Sequence, residues 1–278
     1  MRIILLLVLL GLAAPGRAET VATCTGFIDT LPAVLTTGGT WCLDHDGATS
    51  MKSGTAVTVA ANNVTIDCNG FKIGGLGAGP ETTALGIGAM DRLNTVVRHC
   101  NVRGFRAGML ISGGGGHVIE HNRVEASTLA GIFLVAPGVF RDNQVFGTGG
   151  SGAATGIAGY GVVDVIDNTV SGVRNPVSGG SVYGVLLSSN PGSLVERNII
   201  RGLETVDGFA YGLYLVTGSD RVLFRDNDIL GRKAELEGAA IFCQAGETNA
   251  LMFGNSMLNI PFPTNGCVDA GRNVELVP

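Results

Sequence analysis

An asparagine that recurs in a fixed apolar frame constrains the fold of this chain more than any other feature of its sequence. A bulky apolar residue stands three positions before it, another stands two positions after it, and in all but the last copy a glycine or alanine stands four positions after it. Copies are 21 to 30 residues apart. The central position is occupied, in chain order, by Cys100, Asn122, Asn143, Asn168, Asn198, Asn227 and Asn255. Such regularity predicts a repeat architecture in which each unit packs only on its neighbours.

A second motif precedes each asparagine by about 12 to 15 residues. It is a glycine, or an alanine in the last copy, followed by alternating apolar residues. Its copies begin at Gly86, Gly108, Gly131, Gly156, Gly184, Gly212 and Ala240. Each unit therefore predicts three short strands separated by turns, which is one coil of a parallel β-helix.

Stacked coils give the asparagines a structural role. Neighbouring coils lie ~4.8 Å apart, so identical inward side chains form a column. An amide in that column donates to and accepts from the amides above and below, and it also satisfies backbone groups of the turn. We expect an asparagine ladder along the interior of the solenoid.

This repeat pattern resembles that of the right-handed parallel β-helix proteins of the pectate-lyase-like superfamily. It resembles in particular the secreted bacterial proteins with NosD-type and mannuronan C5-epimerase-type repeats. The resemblance covers residues 57–258. It implies an all-β, single-stranded right-handed solenoid of about eight coils, with the asparagine turn between the second and third strands and a variable turn after the third. It implies no single activity, because lyases, hydrolases, epimerases, adhesins and binding proteins share this fold.

The ends of the chain divide into four predicted segments. Residues 1–18 read as a signal peptide, with Arg2, an apolar run at Ile3–Leu12 and a cleavage site near Ala18, so we expect a secreted or periplasmic protein. Residues 19–56 form an N-terminal cap, 57–259 the β-helix, and 260–278 a C-terminal cap or tail. Within the first cap we expect a short helix around Ile28–Leu35, a strand at Trp41–Leu43, and Trp41 as an apolar lid.

Six cysteines in an oxidising compartment favour disulfides. Proximity in the stacked coils suggests the pairs Cys24–Cys42, Cys68–Cys100 and Cys243–Cys267. We expect no metal and no cofactor; a calcium ion is compatible with the fold, but no motif indicates one. A net charge of −5 with three lysines disfavours nucleic-acid binding. After the first residues, no apolar run reaches the ~18 residues of a membrane span.

The long insertions all follow the third strand, so they project from one edge, and repeat proteins place such insertions on their binding face. The outward residues of the next strand include no acid and no base, which disfavours the paired carboxylates of a hydrolase. They do include an aromatic stripe suited to sugar rings. Its members are Phe133, Tyr160, Tyr214 and Phe242, with Tyr183 and Tyr211 entering from the loops. Alternatively, the loops fold down and bury this stripe.

Polar residues on these insertions supply candidates for charge or catalysis. They are Arg174, Asn175, Glu204, Asp207, Arg232, Lys233, Glu235 and Glu237. If the protein is an enzyme, Tyr183 or Tyr211 with Arg174 and Glu204 is our candidate set for base and charge neutraliser. Arg232 and Lys233 would complement an acidic polysaccharide. The alternative is that these are solvated loop charges.

A rival site lies at the opposite edge, just before the ladder. The position preceding the asparagine is occupied by His99, His121, Asp142, Asp167, Arg197 and Asp226. Neighbours ~5 Å apart would couple their titrations or hold an ion, unless they form only a solvated turn. One position earlier stand Arg98, Glu120, Arg141, Ile166, Glu196 and Arg225, whose alternating sign predicts cross-coil ion pairs.

Three classes of function fit these features. The protein is a polysaccharide lyase or epimerase, a non-catalytic glycan-binding protein, or a structural or surface-interaction rod. Our expectation is a secreted β-helix that binds or modifies a polysaccharide along its variable-loop edge. The sequence leaves the substrate and the oligomeric state open.

Overall fold

The computed structural model describes residues 23–150, 153–231, 237–244, 249–260 and 262–276. The signal peptide predicted at residues 1–18 lies outside them. The described residues wind through three parallel sheets as an all-β solenoid of about nine turns. They contain one helical element, the 3₁₀ turn Leu76–Ala78.

Each coil contributes one strand to each sheet, and we number the sheets in the order in which a coil visits them. Sheet 1, which carries the recurring glycine, consists of Ala33–Leu35, Thr55–Val59, Leu85–Leu93, Ala107–Gly115, Ala130–Val135, Ala154–Tyr160, Val182–Ser188, Phe209–Leu215, Glu237–Cys243 and Thr264–Asn265. Sheet 2, which leads to the asparagine, consists of Gly26–Phe27, Gly39–Cys42, Val64–Asp67, Val96–Arg98, His117–Glu120, Gly138–Arg141, Val163–Ile166, Leu194–Glu196, Leu223–Arg225, Leu251–Phe253 and Val268–Asp269. Sheet 3, which follows it, consists of Gly47–Ala48, Lys72–Gly74, Asn101–Arg103, Arg123–Glu125, Gln144–Phe146, Thr169–Ser171, Ile199–Arg201, Asp228–Leu230, Ser256–Leu258 and Val274–Leu276.

The core is a set of columns, because the strands pair in register. In sheet 1, Ile132 pairs with Met109 on one side and with Ile157 on the other, and all three side chains are fully buried. The alternate residue Phe133 faces outward and is only partly buried. Period-two alternation within a strand therefore becomes continuous inward and outward columns along the solenoid.

The asparagine ladder is present as predicted. The Nδ2 of Asn143 donates to Asn168 Oδ1 at 3.0 Å and to the Ile119 carbonyl at 2.7 Å. Its Oδ1 accepts from both the backbone N–H of Asn122, at 3.1 Å, and Asn122 Nδ2, at 3.0 Å. The same bonds join Asn168, Asn198, Asn227 and Asn255. Buried amides thus have their hydrogen-bonding capacity used in full.

The ladder is longer than the sequence motif indicates. Asn255 Nδ2 donates to Asn273 Oδ1 at 2.9 Å, so Asn273 is a further member. Glu275 stands two positions after Asn273, where the other units have an apolar residue. The sequence motif therefore does not include Asn273. At the other end, the disulfide Cys68–Cys100, with Cα atoms 4.7 Å apart, continues the column covalently.

The recurring glycine is required because a side chain at its position has no space. A Cβ atom at Gly156 would lie 2.3 Å from Val170 Cγ1 and 2.6 Å from the carbonyl oxygen of Gly184 in the next coil. Every other glycine of the motif meets equally close atoms; these are Gly86, Gly108, Gly131, Gly184 and Gly212. In these six coils the corner between sheets 3 and 1 therefore leaves no room for a Cβ atom, whereas the last copy of the motif has Ala240 there.

Both ends of the chain differ from the expected caps. The helix predicted around Ile28–Leu35 is wrong: Ala33–Leu35 is a strand that pairs with residues 57–59 of sheet 1. The predicted strand at Trp41–Leu43 is Gly39–Cys42, and Trp41 packs partly buried against the core. Residues 264–276 likewise add strands to all three sheets. Open sheet edges offer unpaired backbone groups, and the terminal segments satisfy them as strands. These end segments raise the predicted eight coils to about nine.

All three predicted disulfides are present, namely Cys24–Cys42, Cys68–Cys100 and Cys243–Cys267. Disulfides persist in oxidising compartments such as the periplasm and the extracellular space. Among the described residues, no helix is long and apolar enough to cross a membrane.

We expect Asn168→Leu to lower the free energy of unfolding by roughly 1–3 kcal/mol. The substitution leaves the Phe140 carbonyl and the Asn143 amide groups buried without hydrogen-bond partners. Chemical denaturation measures the change. The control is Asn265→Leu, an exposed asparagine outside the ladder, which should stay within about 0.5 kcal/mol of wild type. Equal stability of the two variants would refute the structural role of the ladder.

Gly156→Ala should cost about 1–3 kcal/mol of folding free energy, since its methyl group overlaps Val170 and the Gly184 carbonyl. Gly115→Ala is the matched control in sheet 1, where the nearest atom to a new Cβ is 3.8 Å away. Thermal unfolding of both variants provides the comparison. If Gly156→Ala melts together with Gly115→Ala, the close approach at the corner is not what selects glycine.

Candidate functional site

Five aromatic rings cluster on the outer face of sheet 1, and we call them the aromatic platform: Tyr183, Phe209, Tyr211, Tyr214 and Phe242. Tyr183 stacks on Tyr211 with ring centroids 5.6 Å apart, and Tyr214 stacks on Phe242 at 5.0 Å. Tyr211 joins the two stacks through an edge contact with Tyr214 at 4.7 Å. Phe209 extends the first stack, with its centroid 6.0 Å from that of Tyr211. The rings form one continuous surface.

Strand register builds this platform from residues far apart in sequence. Tyr183 pairs with Tyr211, and the next outward column runs from Leu186 through Tyr214 to Phe242. Parallel neighbours lie ~4.8 Å apart, the spacing at which offset rings stack. Tyr183 and Tyr211 therefore lie within sheet 1, although the sequence pattern placed them on the loops.

A smaller aromatic pair continues the stripe toward the N-terminus. The rings of Phe133 and Tyr160, on adjacent coils, have centroids 5.3 Å apart. Both rings remain partly exposed, and so do those of Tyr214 and Phe242. The loops in the described part of the chain therefore leave the stripe accessible, contrary to the alternative in which they bury it.

Phe209 is a platform residue that the sequence motif misses. It opens the strand Phe209–Leu215 and is 44 % exposed. The motif begins at Gly212, so residues before the glycine are assigned to a loop. The signal was available in the spacing, because Phe209 and Tyr211 are two residues apart and point to the same side of a strand.

Two phenols of the platform, those of Tyr211 and Tyr214, have raised pKa values. Burial raises the pKa of Tyr211, and the neighbouring phenols of Tyr214 and Tyr183 raise it further. Burial likewise raises the pKa of Tyr214, with a smaller contribution from Tyr183. These hydroxyls stay protonated at neutral pH. The hydroxyls of Tyr183, Tyr211 and Tyr214 form no hydrogen bond with a described residue. They therefore remain available to a ligand.

The insertions beside the platform are ordered by an ion pair. Arg174–Ser178 and Glu204–Val206 form a two-stranded ribbon, and Arg174 Nε donates to Glu204 Oε2 at 2.8 Å. Both side chains line a cleft of about 330 Å³ together with Thr148 and Pro176. The charges of this candidate catalytic pair largely neutralise each other.

The other polar loop residues have separate environments. Asn175 is buried and accepts a hydrogen bond from the Val177 amide at 3.0 Å. Asp207 Oδ2 accepts from Ser178 Oγ at 3.4 Å. Arg232, Lys233 and Glu235 lie outside the described residues, and the side chain of Glu237 is not described.

The rival column at the asparagine turn has a shared backbone geometry. Its members His99, His121, Asp142, Asp167, Arg197 and Asp226 all have φ between 51° and 57°. This left-handed conformation is one that Asn, Asp and His tolerate better than bulkier residues. The turn therefore gives the aspartates and histidines of this column a structural role.

Within this column the side chains pair along the solenoid axis. His99 Nδ1 lies 3.1 Å from Asp67 Oδ1, and its ring centroid is 5.6 Å from that of His121. His121 Nε2 lies 3.6 Å from Asp142 Oδ2. Among the described residues, no three His, Cys, Asp or Glu side chains converge to hold a metal ion.

The neighbouring column forms the cross-coil ion pairs that its alternating sign predicts. Arg141 pairs with Glu120 of the preceding coil, and Arg225 pairs with Glu196. Arg197 bonds Asp167 Oδ1 at 2.7 Å and also reaches Glu196 Oε2 at 2.8 Å. Its hydrogen bond lowers the pKa of Asp167. This edge of the solenoid is a chain of mutually neutralised charges.

Comparison with known proteins identifies solved structures of the same class, the parallel β-helix proteins. The Dettilon tailspike protein matches with a TM-score of 0.58 and 14 % identity over 89 % of this chain, which spans 56 % of the tailspike chain. The Azotobacter vinelandii mannuronan C-5 epimerase A-module matches with a TM-score of 0.41 and 16 % identity, covering 88 % of this chain and 76 % of that one. An alginate lyase from Paenibacillus matches with a TM-score of 0.38 and 13 % identity, covering 86 % and 93 %.

At these identities, structural similarity shows the fold alone. No protein-family model matches this chain. No curated protein sequence matches it either.

Asp67 provides a test of the ionic edge. Burial raises the pKa of this carboxyl, but hydrogen bonds from the Asn69 amide, His99 and Arg98 outweigh burial and hold the pKa below its usual value of 3.8. A lowered folded-state pKa stabilises the protein above pH of about 3.8, and this contribution is lost as pH falls through the folded-state pKa. We expect Asp67→Asn to lower the Tm at neutral pH and to converge with wild type in acid.

The control for this experiment is Asp228→Asn, an exposed aspartate on sheet 3. It should follow wild type at every pH. A constant Tm difference between Asp67→Asn and wild type from neutral pH down to acid would contradict the assigned linkage.

Proposed function

We propose that this protein binds a polysaccharide through the aromatic platform and the neighbouring Phe133–Tyr160 pair. The observation that carries the proposal is the platform itself: five connected, partly exposed rings whose phenols have no described protein partner. Aromatic faces pack on the apolar faces of sugar rings, while phenol hydroxyls bond sugar hydroxyls.

The dimensions of the stripe favour a polymer over a single sugar. Aromatic residues occur on five consecutive strands of sheet 1, from Ala130–Val135 to Glu237–Cys243. Four coil spacings of ~4.8 Å make the stripe roughly 19 Å long. Several sugar units are needed to cover it.

The chemistry of the site favours binding over turnover. A lyase or epimerase built on Tyr183 or Tyr211 needs a phenolate base, and the raised pKa of Tyr211 opposes ionisation. Its charge neutraliser would be Arg174, whose guanidinium is already engaged by Glu204. Both requirements are met poorly, so we propose a binding protein in preference to an enzyme.

The proposed location is outside the cytoplasm. Three disulfides suit an oxidising compartment. The signal peptide proposed at residues 1–18 would deliver the chain there, with cleavage near Ala18. A polysaccharide of a cell surface or matrix is accessible from that compartment.

Tyr211→Ala and Tyr214→Ala should each weaken polysaccharide binding roughly tenfold, because each removes a ring and a hydroxyl from the centre of the platform. Affinity gel electrophoresis against a panel of neutral and acidic polysaccharides measures the loss. The matched control is Phe146→Ala, which removes a partly exposed ring from sheet 3. It should leave binding unchanged.

Thermal unfolding checks that the variants remain folded, which the outward position of both tyrosines predicts. A second pair, His121→Ala and Asp142→Ala, tests the rival column and should also retain binding. If these two variants lose binding while the platform variants keep it, the ligand lies on the asparagine edge and the proposal fails.

A further inference from the structure

The strands around the platform carry no charge among their described side chains; the remaining residue, Glu237, opens the last strand opposite Phe209. Residues 182–188, 209–215 and 238–243 contain no Asp, Glu, Lys or Arg. The two preceding strands, Ala130–Val135 and Ala154–Tyr160, contain none either. The surface between the rings is formed by side chains such as Leu186 and Ser188, so a ligand pressed against these described side chains meets only apolar and neutral polar atoms.

The described charges beside the platform already have hydrogen-bond partners. Arg174 bonds Glu204 through the ribbon, and Asp207 is held by the Ser178 hydroxyl. A guanidinium committed to a protein carboxylate has less to offer a second carboxylate from a ligand. Arg174 therefore adds little attraction for an anionic polymer.

An acidic polysaccharide would bring a carboxylate onto this surface with nearly every sugar. Removing a carboxylate from water without a cationic partner is costly. The protein's net charge of −5 adds repulsion at long range. A neutral sugar has neither cost, and its hydroxyls can accept from the phenol hydroxyls of Tyr183, Tyr211 and Tyr214.

We infer that the platform selects neutral polysaccharides and rejects their uronic-acid counterparts. This inference rests on the proposed function and reverses the preference for acidic polymers that Arg232 and Lys233 suggest from sequence. Ring stacking is available to both kinds of polymer, but the described residues around the platform offer a carboxylate no unengaged cation, so only the neutral kind leaves no charge unpaired on them.

The test uses matched polymers that differ only in the carboxylate: mannan against polymannuronate, galactan against polygalacturonate, and glucan against polyglucuronate. We expect at least one neutral member to bind roughly tenfold tighter than its acidic counterpart. Its affinity should change little as ionic strength is raised toward about 1 M, because no ion pair contributes. Ser188→Lys, which places a cation on the aromatic stripe next to Tyr160, should narrow the difference by raising affinity for the acidic member. The control Ser171→Lys places the same charge on sheet 3 and should not.

The outcomes separate the two claims. Tighter, salt-sensitive binding of an acidic member that Tyr211→Ala abolishes would overturn neutral selection and leave the platform proposal standing. Binding of either kind that survives Tyr211→Ala and Tyr214→Ala would overturn the proposed function itself. Binding of no polymer in the panel would overturn both.

Discussion

The amide-to-amide hydrogen bond inside the asparagine turn is the interaction on which the rest of this structure depends. Each ladder amide bonds the next amide, a carbonyl of the preceding coil and, through its oxygen, a backbone N–H. A turn buried in a solenoid would otherwise leave these backbone groups unpaired. Because every amide is shared between two coils, a coil that slips by one residue breaks bonds on both sides. The ladder thus sets the register of all three sheets.

Register is what turns a repeated sequence into functional surfaces. Once residues on successive coils are aligned, an outward tyrosine at one position of the coil must contact its counterpart one coil away, as Tyr183 contacts Tyr211. The same rule creates a chain of ion pairs on the opposite edge, such as Arg141 with Glu120. From Ala130–Val135 onward, the outer face of sheet 1 is therefore aromatic and has no charged side chain among those described, while the other edge is charged and internally neutralised. Their different chemistry is the basis for assigning ligand binding to the first.

Much of the fold was predictable because its determinants are local and repeated. The spacing of the asparagines, the glycine corners and the alternation of sheet 1 could be read directly, and adjacent coils placed Cys68 beside Cys100. The predictions failed where a segment has no repeat to align. Residues 28–35 were expected to be helical, but Ala33–Leu35 forms a strand that pairs with the open edge of the next coil. Asn273 was missed because Glu275 replaces the apolar residue of its motif, and Phe209 was missed because it precedes the motif glycine Gly212.

The sequence by itself determined the solenoid, its ladder and which residues of each strand face outward. These features follow from short-range periodicity and from the stacking of equivalent residues on successive coils. Only the tertiary structure decided how the outward residues combine. It showed that Arg174 is occupied by Glu204, that the loops in the described part of the chain leave the rings accessible, and that the phenols have no described partner. Those properties depend on contacts between insertions of different length, which no repeat specifies. The repeat period of the chain specifies the fold, whereas the residues and insertions that depart from the repeat specify the candidate site.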